Sequence, residues 1–442
     1  MERFQHPTQV ITTGFGAVIV IGTALLSLPM MTESGERAHF VDALFTATSA
    51  VCVTGLITVD TGGHWSTAGE VVILALIQVG GLGILTLATL FALVVYRRLG
   101  LRAQLLAQAE TKTLQLRDVR RVVRNVVLFS LVGEVLVAAI LTTRFMIGYQ
   151  QSPGAALYSG VFHSISAFNN AGFSLHVDSL TRYATDPWIS LTICAAFIVG
   201  VLGFPVVFEL VRSWRRPKRW SVLTRITVGT SAALLLIGTI VLIVAEHDNP
   251  DTLGPLSGPG KLLAGFFASA TTRTAGFNTI DVGKMTTEGW FITDILMFIG
   301  GGSAGTAGGI KVTTFGLLAF VMWAEMRGEL RVNVGRRRVP ETNHRQALAI
   351  VLLAIGAVAV ATFALLSMTD HSLDRVLFEV VSAFGTVGMS TGITADLPRA
   401  GHVLITVLMF IGRIGPLTLA SALALRERGR RYELPEERTI VG

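Results

Sequence analysis

Two cysteines occur in 442 residues. Cys52 and Cys194 stand far apart in apolar surroundings, so no disulfide framework is implied. Charge is scarce too: 15% of the residues are Asp, Glu, Lys or Arg, against about 25% in ordinary soluble domains. That excludes a soluble globular protein of this length. No set of His, Cys, Asp or Glu has metal-ligand spacing, and no nucleophile stands beside a base in the apolar segments. The chain therefore does not read as an enzyme. Its polar stretches are too short to bury a core of their own, and no nucleotide-binding glycine fingerprint follows a strand. No cleavable signal peptide precedes the first apolar run, which reads as a retained helix.

What the chain has instead is hydrophobicity. Half of it (51%) is apolar, and several runs reach the roughly 20 residues that a helix needs to cross a bilayer. The net charge of +7 sits mainly in four basic segments, Arg97 to Arg124, Arg212 to Arg225, Arg327 to Arg345 and Arg426 to Arg438. Each follows a long apolar run, the pattern of membrane-flanking anchors in contact with lipid rather than of a nucleic-acid surface. The positive-inside rule puts these segments and both termini in the cytoplasm.

One short stretch occurs four times, at a period of roughly 110 residues. Aligned on one glycine, the copies are Ser49 to Leu56, Ser166 to Phe173, Ala270 to Phe277 and Ser382 to Met389. The glycines are Gly55, Gly172, Gly276 and Gly388, and Phe45, Phe162, Phe266 and Phe378 stand ten positions before them. Each copy follows a run too short to span a bilayer and is flanked by two long apolar segments. The predicted fold is an all-α membrane protein of four tandem helix–pore loop–helix repeats around one pseudo-fourfold pore, with eight spanning helices. The repeats cover 1–100, 101–220, 221–340 and 341–442. The outer helices are expected near Val10 to Met31, Val122 to Ile147, Leu223 to Ala245 and Gln346 to Ser367. Return helices are expected near Glu70 to Tyr96, Pro187 to Val211, from Phe291, and near His402 to Leu425.

Non-helical backbone at membrane depth is tolerated only where it is buried in protein or lines a water-filled path. Four such segments can aim their carbonyls at one axis, and a carbonyl ring can replace the hydration shell of a monovalent cation. Glycine suits the key position because it reaches backbone angles closed to other residues and adds no side chain to the lumen.

With these four units the chain resembles the superfamily of potassium transporters that includes the Trk, Ktr and plant HKT proteins. The resemblance runs from about Val10 to Leu425. The short N-terminus lacks the extra hairpin of the Trk subunit, which makes the Ktr membrane subunits the most similar branch. It implies a selectivity filter made of Val51, Cys52, Val53, Thr54 and Gly55; Asn169, Asn170, Ala171 and Gly172; Arg273, Thr274, Ala275 and Gly276; and Gly385, Thr386, Val387 and Gly388. Potassium would be held at Gly55, Gly172, Gly276 and Gly388, with sodium as a possible second ion. In some plant relatives the first-repeat glycine is a serine, which goes with sodium preference, so Gly55 fits the potassium pattern. The resemblance further implies a bacterial inner-membrane homodimer docked on a cytosolic nucleotide-binding ring subunit, with any nucleotide bound only by that partner. Its second reading is a sodium/potassium cotransporter of HKT type. Alternating-access transporters usually carry inverted repeats, whereas these repeats run parallel, which favours a pore.

The return segments carry a second glycine pattern: Gly80 and Gly83, Gly200 and Gly203, Gly412 and Gly415. Small residues there let helices approach closely. Repeat three departs from it with Gly300, Gly301, Gly302, Ser303, Ala304, Gly305, Thr306, Ala307, Gly308 and Gly309. This run cannot be a stable helix, since each glycine costs about 1 kcal/mol relative to alanine, and it is expected to be a flexible intramembrane loop. It does not read as a phosphate-binding loop: Ile310 separates Gly309 from Lys311, and no Lys-Ser/Thr pair follows the glycine. Arg413 lies deep in an apolar segment, where a charge is by default functional. The resemblance places it below the filter as a gate together with the loop, with Lys311 as a second cation. Glu134 reads as a satisfied bundle carboxylate, His163 as packing, and Arg273 as a brace behind its strand.

Overall fold

The computed structural model describes residues 7–98, 116–303, 305–329, 331–334 and 337–415. Ala304, Arg336, residues 426–438 and part of the first basic segment lie outside them. The described chain is mostly helical, and its elements fall into four similar units. The first is α1 (Pro7–Leu26), α2 (Phe40–Val51) and α3 (Thr67–Arg98). The second is α4 (Leu116–Tyr149), α5 (Pro153–Phe168), α6 (Pro187–Leu202) and α7 (Phe204–Ser213). The third is α8 (Val222–Glu246), α9 (Gly258–Thr271), α10 (Thr287–Phe298) and α11 (Val312–Met326). The fourth is α12 (Glu341–Leu366), α13 (Leu373–Gly385) and α14 (Arg399–Ile414). A hairpin of β1 (Asn333–Val334) and β2 (Arg337–Arg338) links the third unit to the fourth.

Helix starts follow local chemistry. The side chains of Ser152, Asp186, Ser221, Ser257 and Thr286 each accept a hydrogen bond from a backbone N–H of the first turn that has no partner within the helix. Helices α2, α5, α9 and α13 have 12, 16, 14 and 13 residues. At about 1.5 Å per residue they are shorter than a bilayer core. Each packs against the long helix before it, and each return element packs against the short helix of the next unit: α3 on α5, α6 on α9, α10 on α13, and α14 on α2. The last contact joins unit four to unit one and closes a cycle.

Among the described residues, Val123–Tyr149, Val222–Glu246 and Glu341–Leu366 are long and apolar enough to cross a membrane as single helices. The return elements differ from the expected continuous helices. α6 and α7 meet at a bend of 104°. Gly203 stands between them at φ 86°, and Pro205 follows in the first turn of α7. α3 is kinked where Gly83 adopts φ 71° and ψ −172°. α14 ends at Gly415, φ 91°. In unit three the break becomes the glycine-rich segment between α10 and α11. The second glycine of each pair therefore breaks its helix, because only a residue without Cβ takes these angles at little cost. The first glycine does allow close approach, to a short helix rather than a long one. A side chain on Gly80, Gly200 or Gly412 would strike the carbonyl of Val51, Phe168 or Phe384 at the end of α2, α5 or α13.

The aligned phenylalanines also need one correction. Phe45, Phe162 and Phe378 are fully buried, but in unit three the fully buried ring is Phe267, while Phe266 is only partly covered. The N–H of the residue before the glycine bonds the carbonyl five residues back in units one, two and four (Thr54 to Ser49, Ala171 to Ser166, Val387 to Ser382). In unit three it reaches only four back, from Ala275 to Thr271. The hydrogen-bonded turn there holds one residue fewer, so helix positions counted back from the glycine are shifted by one in unit three.

Candidate functional site

The four glycine strands start at the C-terminal ends of α2, α5, α9 and α13. Val51 and Gly385 still belong to their helices, while Cys52 and Asn169 are C-caps. Two residues before each glycine the backbone turns left-handed, at Val53 (φ 48°), Asn170 (φ 59°), Thr274 (φ 67°) and Thr386 (φ 50°). The glycines follow at 92°, 70°, 75° and 91°. Left-handed angles cost a non-glycine residue about 1–2 kcal/mol. Such strain persists only where the surroundings over-determine it, typically at functional sites. Here it occurs four times at one position.

The strands close into a ring. A methyl group on Gly172 would lie 2.9 Å from the Ala275 carbonyl oxygen, and one on Gly276 would lie 2.5 Å from that of Val387. One on Gly55 would overlap the Ala171 oxygen, and one on Gly388 the Thr54 oxygen. The carbonyl preceding each glycine thus lies against the glycine of the neighbouring strand, in the cyclic order one, two, three, four. Strands one and three face each other, as do two and four. The hydroxyls of Thr54, Thr274 and Thr386 are buried without a protein partner. Those of Ser166 and Thr271 donate to the carbonyls of Phe173 and Phe277, each at 2.8 Å, and hold the turns from behind.

Side chains behind the ring are tied off. Asn169 Nδ2 donates to Gln78 Oε1 (3.0 Å) and to Glu134 Oε1 (3.1 Å), and Gln78 Nε2 also donates to Glu134 Oε1 at 2.9 Å. Glu134 is a satisfied carboxylate that fixes the Asn169 turn. Arg273 reaches α8, donating from Nη1 to the Ser231 carbonyl at 2.5 Å. His163 is fully buried and bonded at both ring nitrogens.

The segment from Gly300 to Gly309 is held far more tightly than a flexible loop would be. Gly302 N–H donates to the Val201 carbonyl at 2.7 Å, Gly300 N–H to that of Ile310 at 2.7 Å, Val312 N–H to that of Gly301 at 3.0 Å and Gly309 N–H to that of Gly412 at 3.2 Å. Gly305 lies against the α6–α7 break, where a methyl group would meet the Gly200 oxygen at 2.8 Å. Ser303 and Thr313 hydroxyls pair at 2.7 Å. Thr306 Oγ1 donates to Asn170 Oδ1 at 2.6 Å, and Gly308 lies against the Thr386 side chain, 2.9 Å from its Cβ to a methyl built on the glycine. Asn170 and Thr386 occupy the same position on opposite strands, so the segment crosses the axis of the ring.

Arg413, buried in α14, clamps this crossing. Its Nη1 donates to the Thr306 carbonyl and its Nη2 to the Gly80 carbonyl of α3 at 2.5 Å, while Nε has no partner. Lys311 Nζ donates to the Ala307 carbonyl within the segment itself. Beyond the crossing lies a cavity of about 550 Å³, lined by Gly81, Gly83, Phe204, Phe208, Lys311, Arg413 and Gly415 among others. The sequence pattern missed two parts of this arrangement: the Asn170–Thr306 bond and the carbonyl contacts of Gly80, Gly200 and Gly412. The asparagine pair at 169–170, unlike anything in the other copies, was the available signal.

Such a ring, with glycines and carbonyls interlocked and a bound segment across one end, is suited to pass or hold a small dehydrated ion. The family described as TrkH, cation transport protein, matches residues 1–430. Ktr system potassium uptake protein B of Vibrio alginolyticus is 40% identical over 98% of this chain and 94% of its own. The protein of the same name from Bacillus subtilis is 41% identical over 99% and 97%. Potassium/sodium uptake protein NtpJ of Enterococcus hirae is 35% identical over 99% and 97%. The crystal structure of the potassium transporter TrkH from Vibrio parahaemolyticus shares the fold, with a TM-score of 0.75 at 17% identity, covering 96% of this chain and 86% of that one. The chain belongs to the TrkH family of cation transport proteins.

Proposed function

We propose that this chain is the potassium-translocating subunit of a bacterial uptake system, a selective pore rather than an enzyme, with eight spanning helices and both termini in the cytoplasm. The four repeats cover 1–100, 101–220, 221–340 and 341–442. The observation that carries the reading is the ring: four carbonyls interlocked with Gly55, Gly172, Gly276 and Gly388. Fixed carbonyl dipoles replace the water shell of a monovalent cation, and the four glycine strands supply them. The relatives' names, which carry potassium and in one case potassium and sodium, favour the same cargo and leave sodium stimulation as part of the proposal. Rubidium-86 flux into proteoliposomes tests it. A pore gives downhill flux saturating with potassium, with weak competition by sodium. Flux that requires stoichiometric sodium sinks the pore reading in favour of a cotransporter.

The segment from Gly300 to Gly309 acts as the gate in this reading, with Arg413 and Lys311 as its latches. A third, weaker tie, from Thr306 to Asn170, gives a graded test. Thr306→Val removes the hydroxyl that bonds Asn170. A hydrogen bond of this kind contributes about 1 kcal/mol, or a few-fold in an equilibrium. The variant is expected to raise unstimulated flux by about that factor. Unchanged flux would remove this bond from the gate.

Control comes from elsewhere in this reading, through a cytosolic nucleotide-binding ring subunit beneath a homodimer in the inner membrane. The β1–β2 hairpin offers a docking point at the end of α11. Val334 and Val339 bury against Ile226 and Ala347, while Arg337 and Arg338 are exposed. Arg337→Glu with Arg338→Glu is expected to abolish co-purification of such a partner and leave unstimulated flux within about twofold, because exposed charges contribute little to folding. Co-purification that survives would remove the hairpin from the interface.

A further inference from the structure

Each glycine strand must also be held at its other end, beyond the glycine, or the ring would open. In unit four that hold comes from Glu379, which is fully buried in α13. Its Oε1 accepts from the Thr391 N–H at 3.0 Å and from the Ser390 hydroxyl, and its Oε2 accepts from the Thr394 hydroxyl at 2.8 Å. In unit two it comes from His163, fully buried in α5. Nδ1 stands 2.8 Å from the Ser159 carbonyl, and Nε2 stands 3.0 Å from the Ser174 hydroxyl. A carbonyl can only accept, so Nδ1 carries the proton and Nε2 accepts from Ser174. Glu379 and His163 occupy one register position, nine residues before Gly388 and Gly172. Ser390 and Ser174 likewise both stand two residues after those glycines.

The other two units carry no such buried tie at this register position. The matching residue of unit one is Thr46, whose hydroxyl has no partner. Asp42, one helical turn earlier, bonds Thr58 at 2.8 Å instead. With the one-residue shift of unit three, the matching residue there is Ala268, and strand three is held by its neighbour: Leu180 N–H donates to the Asn278 carbonyl at 2.9 Å. Strands two and four face each other across the ring. The two buried ties therefore act on one diagonal.

We propose that Glu379 and His163 are positioning residues of the cation filter, fixing the width of the ring along the diagonal of strands two and four from behind. The inference rests on the filter reading above. Neither side chain touches the ion path; each sets where the Gly388 and Gly172 segments stand. The hydrogen bonds matter rather than the charge, so an amide serves in place of the carboxylate at Glu379. Its oxygen can take the Thr391 N–H and its nitrogen can donate to the Thr394 hydroxyl, which also accepts.

The test is inhibition by sodium of rubidium-86 uptake, measured as the ratio of the two apparent affinities, in the full-length protein in proteoliposomes. Glu379→Leu is expected to lower that discrimination about tenfold, and His163→Phe several-fold. Glu379→Gln and the control Thr46→Val are expected to stay within about twofold of the parent. The double variant Glu379→Leu with His163→Phe should multiply the single effects, since the two ties share no partner. A purely structural role would lower the amount of protein and the total flux but not the ratio. A fall in total flux at unchanged ratio therefore overturns the proposal, as does a Gln variant as poor as the Leu variant. Should Glu379→Leu not fold, Ser390→Ala with Thr394→Val removes the two hydroxyl bonds from the other side and leaves the Thr391 N–H, so it is expected to lower the ratio in the same direction by a smaller, several-fold factor; an unchanged ratio overturns the proposal. Gly388→Ser, measured in parallel, separates this proposal from its foundation. If the glycine variant also leaves the ratio unchanged, the filter reading itself has failed.

Discussion

Replacing Arg413 with alanine is expected to raise ion flux about ten- to a hundredfold while leaving the preference for potassium over sodium unchanged. The guanidinium joins the segment crossing beneath the ring to the backbone of α3, through the Thr306 and Gly80 carbonyls. Buried hydrogen bonds from a charged donor contribute about 1.5–3 kcal/mol each, and every 1.4 kcal/mol is tenfold in an equilibrium. Loss of one such bond's worth from the closed state gives the lower figure, and loss of both the upper. The ring lies on the far side of the segment and keeps its own hydrogen bonds, so selectivity should be spared. Arg413→Lys makes the argument sharper. An ammonium keeps the charge but lacks the planar fork that reaches two carbonyls, so its flux should fall between the parent and alanine. Flux is measured with rubidium-86 at equal amounts of protein in the membrane. Abolished flux at normal protein levels would mean that Arg413 supports the open path instead of closing it.

Gly55→Ser is expected to reduce discrimination between potassium and sodium at least tenfold. Two effects act together. The left-handed backbone at Gly55 costs any other residue about 1–2 kcal/mol. A Cβ there would also overlap the Ala171 carbonyl, one of the four oxygens of the ring. The strand must move, and the carbonyl moves with it. The same geometry ranks the four positions. Clearance is greatest at Gly172, where a methyl group would stand 2.9 Å from the Ala275 oxygen. Gly172→Ala should accordingly retain more discrimination than alanine at Gly55, Gly276 or Gly388. Sodium inhibition of potassium uptake in a transport-deficient strain reads both effects. Unchanged apparent affinities in Gly55→Ser would take Gly55 out of the filter.

The glycine-rich segment and the glycine ring were legible to different depths in the sequence. Four glycines at matched spacing, each after a short apolar helix, pointed to four units around one axis, because a repeat that cannot bury its own re-entrant backbone must do so against its copies. The run from Gly300 to Gly309 announced itself as non-helical through its composition alone. Its conformation did not. Glycine records only what the backbone may do, and the segment's partners, Gly200, Val201, Asn170, Gly412 and Arg413, come from units two and four. A long-range hydrogen bond leaves no local signature, so the sequence suggested flexibility where the folded chain supplies anchors.

The sequence by itself determined the number of units, the presence in each of an apolar run too short to span a bilayer and the aligned glycine that follows it, since all three follow from local propensity and periodicity. Tertiary structure alone decided the rest. It closed the cycle by packing α14 on α2, it broke the return elements at Gly83 and Gly203, and it set Gly80, Gly200 and Gly412 against the carbonyls of the short helices. It also shifted unit three by one residue so that Phe267, not Phe266, fills the core. The physical reason is common to all of these. A glycine pair, an arginine or a phenylalanine is compatible with several local structures, and only the shape of the neighbouring unit selects among them.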